Sequence, residues 1–262
     1  MSSKSRLLLR PEQRASRREE THAERPDACE EVRLCLLDGF ELVSDPGRKE
    51  LPPGAQRVVT FIALHDRPLL RGYVAGSLWL DSTEERAAAN LRSALWRIHR
   101  IEPRLIDASG HTLRLGSAVS VDLREMEATA HALLRGDADV EPEATRLASD
   151  LLPDWYDDWV MIEREHYRQL RLHALDALCG RLTAAGCLEE ALKVGLEAVA
   201  GEPLRESAQR ALVSVHLAEG NVGEAVRQYR LFRRLLQEQL GLEPSRLMEE
   251  LVGDLDRAAT LR

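Results

Sequence analysis

The sequence predicts a mainly α-helical protein with a small β component, in which a strand-and-helix unit is followed by an all-helical array. Three observations carry that prediction. Aromatic residues make up only 4% of the 262-residue chain, while its hydrophobic fraction of 44% is that of a folded protein. Residues 82–102 repeat their apolar side chains at the helical period, so that Ala87, Leu91, Ala94, Leu95, Ile98 and Ile101 share one side. Ala184–Leu192 aligns with Ala218–Val226 at an offset of 34 residues, the period of a stacked two-helix repeat.

Composition sets the outer limits. The length suits two domains. The longest apolar run, Val58 to Leu64, is interrupted by Thr60, so no membrane span is expected. Leu7, Leu8 and Leu9, set among Lys4, Arg6 and Arg10, are too short a run for a signal peptide, which places the protein in the cytoplasm. Cys29, Cys35, Cys179 and Cys187 have no C-x-x-C spacing and read as free thiols. The net charge of −8 is unevenly spread. Basic and acidic residues number seven and seven over 1–31, twelve and ten over 32–120, and seventeen and twenty-seven over 121–262. The acidity belongs to the C-terminal half, and any affinity for a polyanion has to rest on a local basic surface.

Residues 1–31 read as a flexible extension, basic up to Arg18 and acidic beyond it. From Val32 the pattern alternates as a strand through Leu34 and Leu36, Asp38-Gly39 is a hairpin signal, and Phe40 to Val43 returns. Ser44-Asp45-Pro46-Gly47 is a second turn, followed by a short strand from Lys49 to Leu51 and the stop Pro52-Pro53-Gly54. Gln56 to His65 then reads as a helix with Val58, Val59, Ile62 and Ala63 inward. Arg71 to Leu80 is a second, weaker helix, because Gly72 and Gly76 each cost about 1 kcal/mol relative to alanine. The third helix is residues 82–102, opened by Ser82 and Glu85 in capping-box spacing and closed by Pro103. Leu105 to Ala108 and Thr112 to Leu115 flank Ser109-Gly110-His111 as a hairpin. Strands, three helices and a hairpin, in that order, make a helix-turn-helix core followed by a wing.

The outer face of the third helix carries the chemistry. Arg86, Ser93, Trp96, Arg97 and Arg100 cluster opposite the apolar side, with Asn90 and Arg92 at the edges, and His111 and Arg114 lie in the hairpin. A solvated face usually mixes charge signs, whereas between Glu85 and Glu102 this stripe holds no acid. A helix matches the width of the major groove, and arginine can donate two parallel hydrogen bonds to guanine O6 and N7. Other arginines and Ser93 can fix position on phosphates. Trp96 is expected to close the rim between helix and body, the alternative being contact with a sugar or a thymine methyl. Glu84 and Glu85 complement the helix dipole and count against phosphate contact at the first turn. In this setting residues 1–31 gain a second reading, as a basic arm that helps to hold DNA.

The second half is helical. Within the repeat register Leu175, Leu178 and Leu182 fall at first-helix packing sites, with Ala191, Ala198 and Pro203 at later ones. The next repeat keeps Leu212, Ala225 and Tyr229 but has Gln237 where proline is expected, so its second helix should run on to Leu240 before Gly241 and Pro244. Two repeats bury too little by themselves, so Val121 to Arg135, Glu143 to Leu152 and the tail after Pro244 should add helices and caps. Trp155, Tyr156 and Trp159 read as an aromatic plug joining helices or domains.

Residues 32–120 resemble the OmpR-type winged helix-turn-helix in the form used by the SARP family, the antibiotic-regulatory activators of actinomycetes. Leu51-Pro52-Pro53-Gly54, Leu78-Trp79 and Ala89-Asn90-Leu91-Arg92-Ser93-Ala94-Leu95-Trp96-Arg97 carry the resemblance, while Arg71-Gly72 stands where a serine or aspartate cap would open the second helix. Residues 121–262 resemble the tetratricopeptide-like bacterial transcriptional activation domain that follows it in that family. There the match lies at Leu152-Pro153-Asp154-Trp155-Tyr156-Asp157-Asp158-Trp159-Val160 and from Pro203-Leu204-Arg205-Glu206-Ser207 through Gly241-Leu242-Glu243-Pro244-Ser245. The resemblance implies a transcriptional activator whose third helix recognises double-stranded promoter DNA. It implies binding to direct repeats as a homodimer, recruitment of RNA polymerase holoenzyme, and control of an antibiotic cluster from the nucleoid.

No nucleotide-binding, hydrolase or metalloprotease motif occurs, so no enzyme, cofactor or metal is expected. Glu163-x-x-His166 has the spacing of half a carboxylate-bridged metal site without a second copy and reads as a surface pair. Two other readings use the same elements: a tetratricopeptide adaptor that binds peptides, and a repressor that differs only in where it sits relative to the promoter.

Overall fold

The computed structural model describes residues 32–137 and 147–252. The extension expected over residues 1–31 and the first part of the helix expected over Glu143–Leu152 lie outside the described residues. The chain begins with β1 (Val32–Cys35), β2 (Glu41–Ser44) and β3 (Gly47–Arg48). Asp38 at φ +62° and Gly39 at φ +143° turn β1 into β2, as the Asp-Gly signal predicts. The third strand lies two residues earlier than expected. Arg48 pairs with Val43, and the prolines after Leu51, which lack a donor, end the ladder.

α1 (Pro53–Ala63) starts three residues before the expected Gln56, with Pro53 in the first turn, where its fixed φ suits the helix and its missing N–H costs nothing. Two residues, β4 (Leu69–Leu70), then lead into α2 (Arg71–Leu78). Leu69 and Leu70 pair with Leu113 and Thr112 of the wing. The Arg71 N–H donates to the His111 carbonyl at 2.9 Å. Thus the second helix, which has no capping side chain, is anchored at its first residue by a strand.

α3 (Glu84–Ile101) opens at Thr83 rather than Ser82, the Thr83 hydroxyl accepting the Arg86 N–H at 3.4 Å. Ser82 is drawn back into the preceding turn, where its N–H bonds the Trp79 carbonyl. Ala87, Leu91, Ala94 and Ile98 face the core, while Leu95 and Ile101 are half-buried at its margin. The wing is β5 (Ile106–Ser109) and β6 (Thr112–Leu115), completed by β4 in the order β4-β6-β5.

β7 (Val119–Val121) runs parallel to β1 and completes a second sheet in the order β3-β2-β1-β7. α4 (Asp122–Arg135) follows directly. The buried Asp122 carboxylate accepts the N–H groups of Leu36, Leu37 and Leu123 at 2.8, 3.2 and 2.7 Å. Desolvation still raises its pKa, against the pull of these three donors.

The segment before α5 is a strap, and the helix expected to continue to Leu152 is not formed over residues 149–152. Leu152 stands at φ +43° before Pro153, whose ring disfavours the helical region for the residue ahead of it. Instead Leu151 bridges to Leu37, and the Leu152 N–H donates to the Leu36 carbonyl at 3.0 Å. Two arginines of α5 (Asp158–Ala185) grip the strap by its carbonyls: Arg171 binds those of Ala148 and Ser149, and Arg164 those of Leu151, Leu152 and Trp155.

Trp155 stacks on Phe40, and Trp159 meets Phe61 edge-on at 5.2 Å, so both tryptophans plug the junction. Tyr156 does not, being 81% exposed.

α5, α6 (Leu188–Gly201), α7 (Glu206–Ala218) and α8 (Val222–Leu240) pack in series. The repeat register holds: Leu175, Leu178, Leu182, Ala191, Ala198, Leu212, Ala225 and Tyr229 are all buried. At Gly195 a side chain would lie 3.3 Å from Cys179 Sγ, so the small residue sets how closely α6 approaches α5. α8 runs to Leu240 and ends on Gly241 at φ +66°, as its sequence predicts. Residues 246–252 add nearly two helical turns, with Met248 and Val252 packed beside Phe232 and Leu236.

Candidate nucleic-acid interface

The inward register of α3 fixes what faces outward. With Ala87, Leu91, Ala94 and Ile98 committed to the core, the side chains of Arg86, Arg92, Ser93, Trp96, Arg97 and Arg100 are all exposed, and Asn90 is half-buried. Among the described residues, none of Arg86, Arg92, Arg97 and Arg100 is paired with a carboxylate. This leaves four guanidinium groups on one rod, each with its donors turned to solvent.

Trp96 departs from expectation. It does not close the rim: it is 62% exposed, and the Arg100 guanidinium lies over its ring at 5.4 Å from the centroid. The rim position belongs to Leu95, one step of 100° round the helix, which is half-buried against the core. The indole instead stands at the lip of a groove of about 280 Å³ between α3 and β5, lined also by Leu95, His99, Pro103 and Ile106.

The wing lies against the same helical unit. His111 is exposed at its tip beside Gly110 at φ +57°, and Arg71 locks the tip down with its backbone N–H on the His111 carbonyl and its Nε on the Gly110 carbonyl at 3.1 Å. Arg114 is exposed but engaged, donating from Nε and Nη2 to one oxygen of Asp107, its partner across the strands, at 2.9 and 2.7 Å. Sequence reading missed the part played by Arg71. The available sign was the missing cap at Arg71-Gly72, which leaves the helix start to be held by something else.

Behind α3 a buried carboxylate fastens the helix end. Glu102 accepts from Arg104 Nε at 2.9 Å and from the Arg104 backbone N–H at 3.2 Å, and the guanidinium holds its pKa down at about 2. α3 is therefore braced at both ends, by Thr83 and by Glu102.

Among the described residues no cluster of three metal-ligating side chains occurs, and no helix is long and apolar enough to cross a membrane. Glu163 and His166 form an exposed pair at 3.5 Å, as their spacing predicts. Cys35, Cys179 and Cys187 are free thiols.

A winged helix set on a series of tetratricopeptide-like helices has the build of a transcription regulator rather than an enzyme. Residues 121–255, just over half of the chain, match the bacterial transcriptional activator domain, and the protein belongs to that family, as a transcriptional regulator of the SARP type. The chain is similar to the regulatory protein AfsR of Streptomyces coelicolor, 25% identical over 197 residues, which is 71% of this chain and 20% of the relative. AfsR of Streptomyces griseus is 24% identical over 241 residues, covering 84% of this chain and 23% of the relative. The chain thus spans about a fifth of the length of these curated relatives. Its fold is that of Mycobacterium tuberculosis EmbR, solved in complex with a low-affinity phosphopeptide, with a TM-score of 0.69 at 18% identity over 87% of this chain and 66% of that one.

Proposed function

We propose that this protein is a sequence-specific DNA-binding activator in which residues 32–120 bind the promoter and residues 121–262 engage RNA polymerase. α3 enters the major groove, Arg92 and Arg97 read base edges, and Arg86, Ser93 and Arg100 hold phosphates, with Asn90 at the flank. Trp96 packs its exposed face on a sugar or a thymine methyl. His111 and Arg114 carry the wing to the backbone beside the groove. Two copies occupy direct repeats, and the regulated genes form a secondary-metabolite cluster. One observation carries the reading: four exposed arginines on α3 that pair with no carboxylate among the described residues, on a helix whose opposite face is packed on the core.

Footprinting with the full chain on promoters beside its own gene tests this. Protection of two like-oriented sites one helical turn or a multiple apart, lost on replacing Arg92 and Arg97 together, is the expected result. Equal affinity for all DNA, or none, overturns it.

A further inference from the structure

Arg71 is the first residue of α2, whose start has no side-chain cap. Its side chain reaches away from that helix to the wing, where Nε donates to the Gly110 carbonyl at 3.1 Å beside the backbone bond to His111 at 2.9 Å. Holding the wing uses only one edge of the guanidinium. Among the described residues no carboxylate pairs with Arg71, and no acceptor takes the N–H groups of Nη1 and Nη2. The side chain is half-buried, so this leftover edge is held in place rather than swept through solvent.

Arg71 lines both grooves that flank α3. In the groove between α2 and α3, of about 550 Å³, it stands with Gly76, Ala88 and Arg92, and in the groove between α3 and β5 with Trp96 and His99. The cation therefore lies between the face of α3 that carries Arg92 and Trp96 and the wing tip that carries His111. The α2 side of the larger groove is bare, because a side chain added at Gly72 or Gly76 would meet nothing within 4 Å. A sugar-phosphate chain can come close there, where a bulkier residue would hold it off. A residue that reads bases has to extend into a groove, and Arg71 is tethered to the wing. A phosphate needs only donors in the right place, and the Nη edge of a guanidinium matches two phosphate oxygens. Most exposed arginines lose rotamer freedom when they bind, whereas Arg71 is already held by Gly110.

We propose that Arg71 is a DNA-contact residue: its Nη edge takes one backbone phosphate of the DNA strand that passes between α3 and the wing, while its Nε keeps the wing tip beside that strand. The inference rests on the reading of α3 as the DNA-binding helix and adds the contact that joins helix to wing.

The test is Arg71→Gln in the full chain. The glutamine Nε2 stands as many bonds from Cα as the arginine Nε, so the variant can still donate to Gly110 but has neither the charge nor the Nη edge. Its Tm should match wild type. By fluorescence anisotropy, its affinity should fall at least about fivefold at about 0.15 M salt, for matched and scrambled sites alike. The slope of log K against log salt should flatten by about 0.9. Ethylation interference should show one phosphate, between the α3 and wing contacts, that matters to wild type and not to the variant. Arg71→Lys keeps a charge without the planar edge and should retain the wild-type slope with lower affinity. If Arg71→Gln binds with wild-type affinity and slope, Arg71 is a structural clasp alone and this proposal fails while the DNA reading stands. Loss of several phosphates together would mean a displaced wing, and a slope flattened as much in Arg71→Lys would deny the charge its role; either overturns the proposal. A wild type without affinity for any promoter site overturns both readings.

Discussion

Arg57 of α1 donates to Asp157 at the mouth of α5 over 2.6 Å, and 100 residues of chain separate the two. With Trp155 on Phe40 and Trp159 on Phe61, this bridge fastens the helical series to the unit that carries α3. Both side chains keep a quarter to a third of their surface exposed, so the pair ranks between a screened surface bridge and a buried one. Arg57→Ala and Asp157→Ala should each cost about 1 kcal/mol and lower Tm by roughly 2–4 °C. A double-mutant cycle followed by tryptophan fluorescence measures the coupling, and full additivity would show that the two groups do not interact in solution.

Arg92→Ala and Arg97→Ala should each weaken specific binding by about 1–3 kcal/mol and relax preference at one base position. Thermal stability should be unchanged, since both side chains are exposed. Fluorescence anisotropy at fixed salt with matched and scrambled sites checks this, and retained affinity in both variants would remove them from the reading set.

Arg114 has to exchange Asp107 for a phosphate if the wing touches DNA. Arg114→Ala should lower affinity for all sequences alike and reduce the salt slope by about 0.9. Asp107→Asn should raise affinity by freeing the guanidinium. A loss confined to one base position in the alanine variant would contradict the phosphate role.

Trp96→Ala separates exposure from packing. A rim-closing indole would take about 3–5 kcal/mol with it. The exposed ring seen here should take no more than about 0.5 kcal/mol, while DNA affinity falls. Chemical denaturation of the variant, read by circular dichroism, decides.

Glu102 sets an acid limb. Its folded pKa of about 2 lies below its ordinary 4.5, so its contribution to stability is full above pH 4.5 and is lost as pH falls towards 2. Tm of the wild type should drop across that window. Glu102→Gln, already lacking the charge, should start lower and fall less steeply there.

What the sequence revealed was periodic. Ala87, Leu91, Ala94 and Ile98 follow a 3.6-residue rhythm, and the 34-residue offset located Ala191 and Ala225, because both signals lie within a single helix or repeat each time. What it hid was pairing at a distance. β4 is two residues long and exists only because Leu113 and Thr112 lie beside it, and no local rule tells Leu152 that Leu36 will take its N–H. The same limit applied at the candidate site. The arginine stripe followed from register, whereas the Asp107 partner of Arg114 and the Arg71 clasp on the wing required strands to meet. Trp96 was misjudged because a large apolar side chain at a helix margin invites burial, and Leu95 already filled that place.

β1 is made 87 residues ahead of the strand that completes it, β7. Its edge beside Val32 and Leu34 is filled by Val119 and Val121, so during synthesis at about 5–20 residues per second that edge stays open on the ribosome for roughly 4–17 seconds. A nascent chain with a bare, apolar strand is prone to join its neighbours on the same messenger. Slow translation between the wing and α4 would lengthen that exposure, so slow synonymous codons there should lower the yield of folded protein without altering the finished molecule.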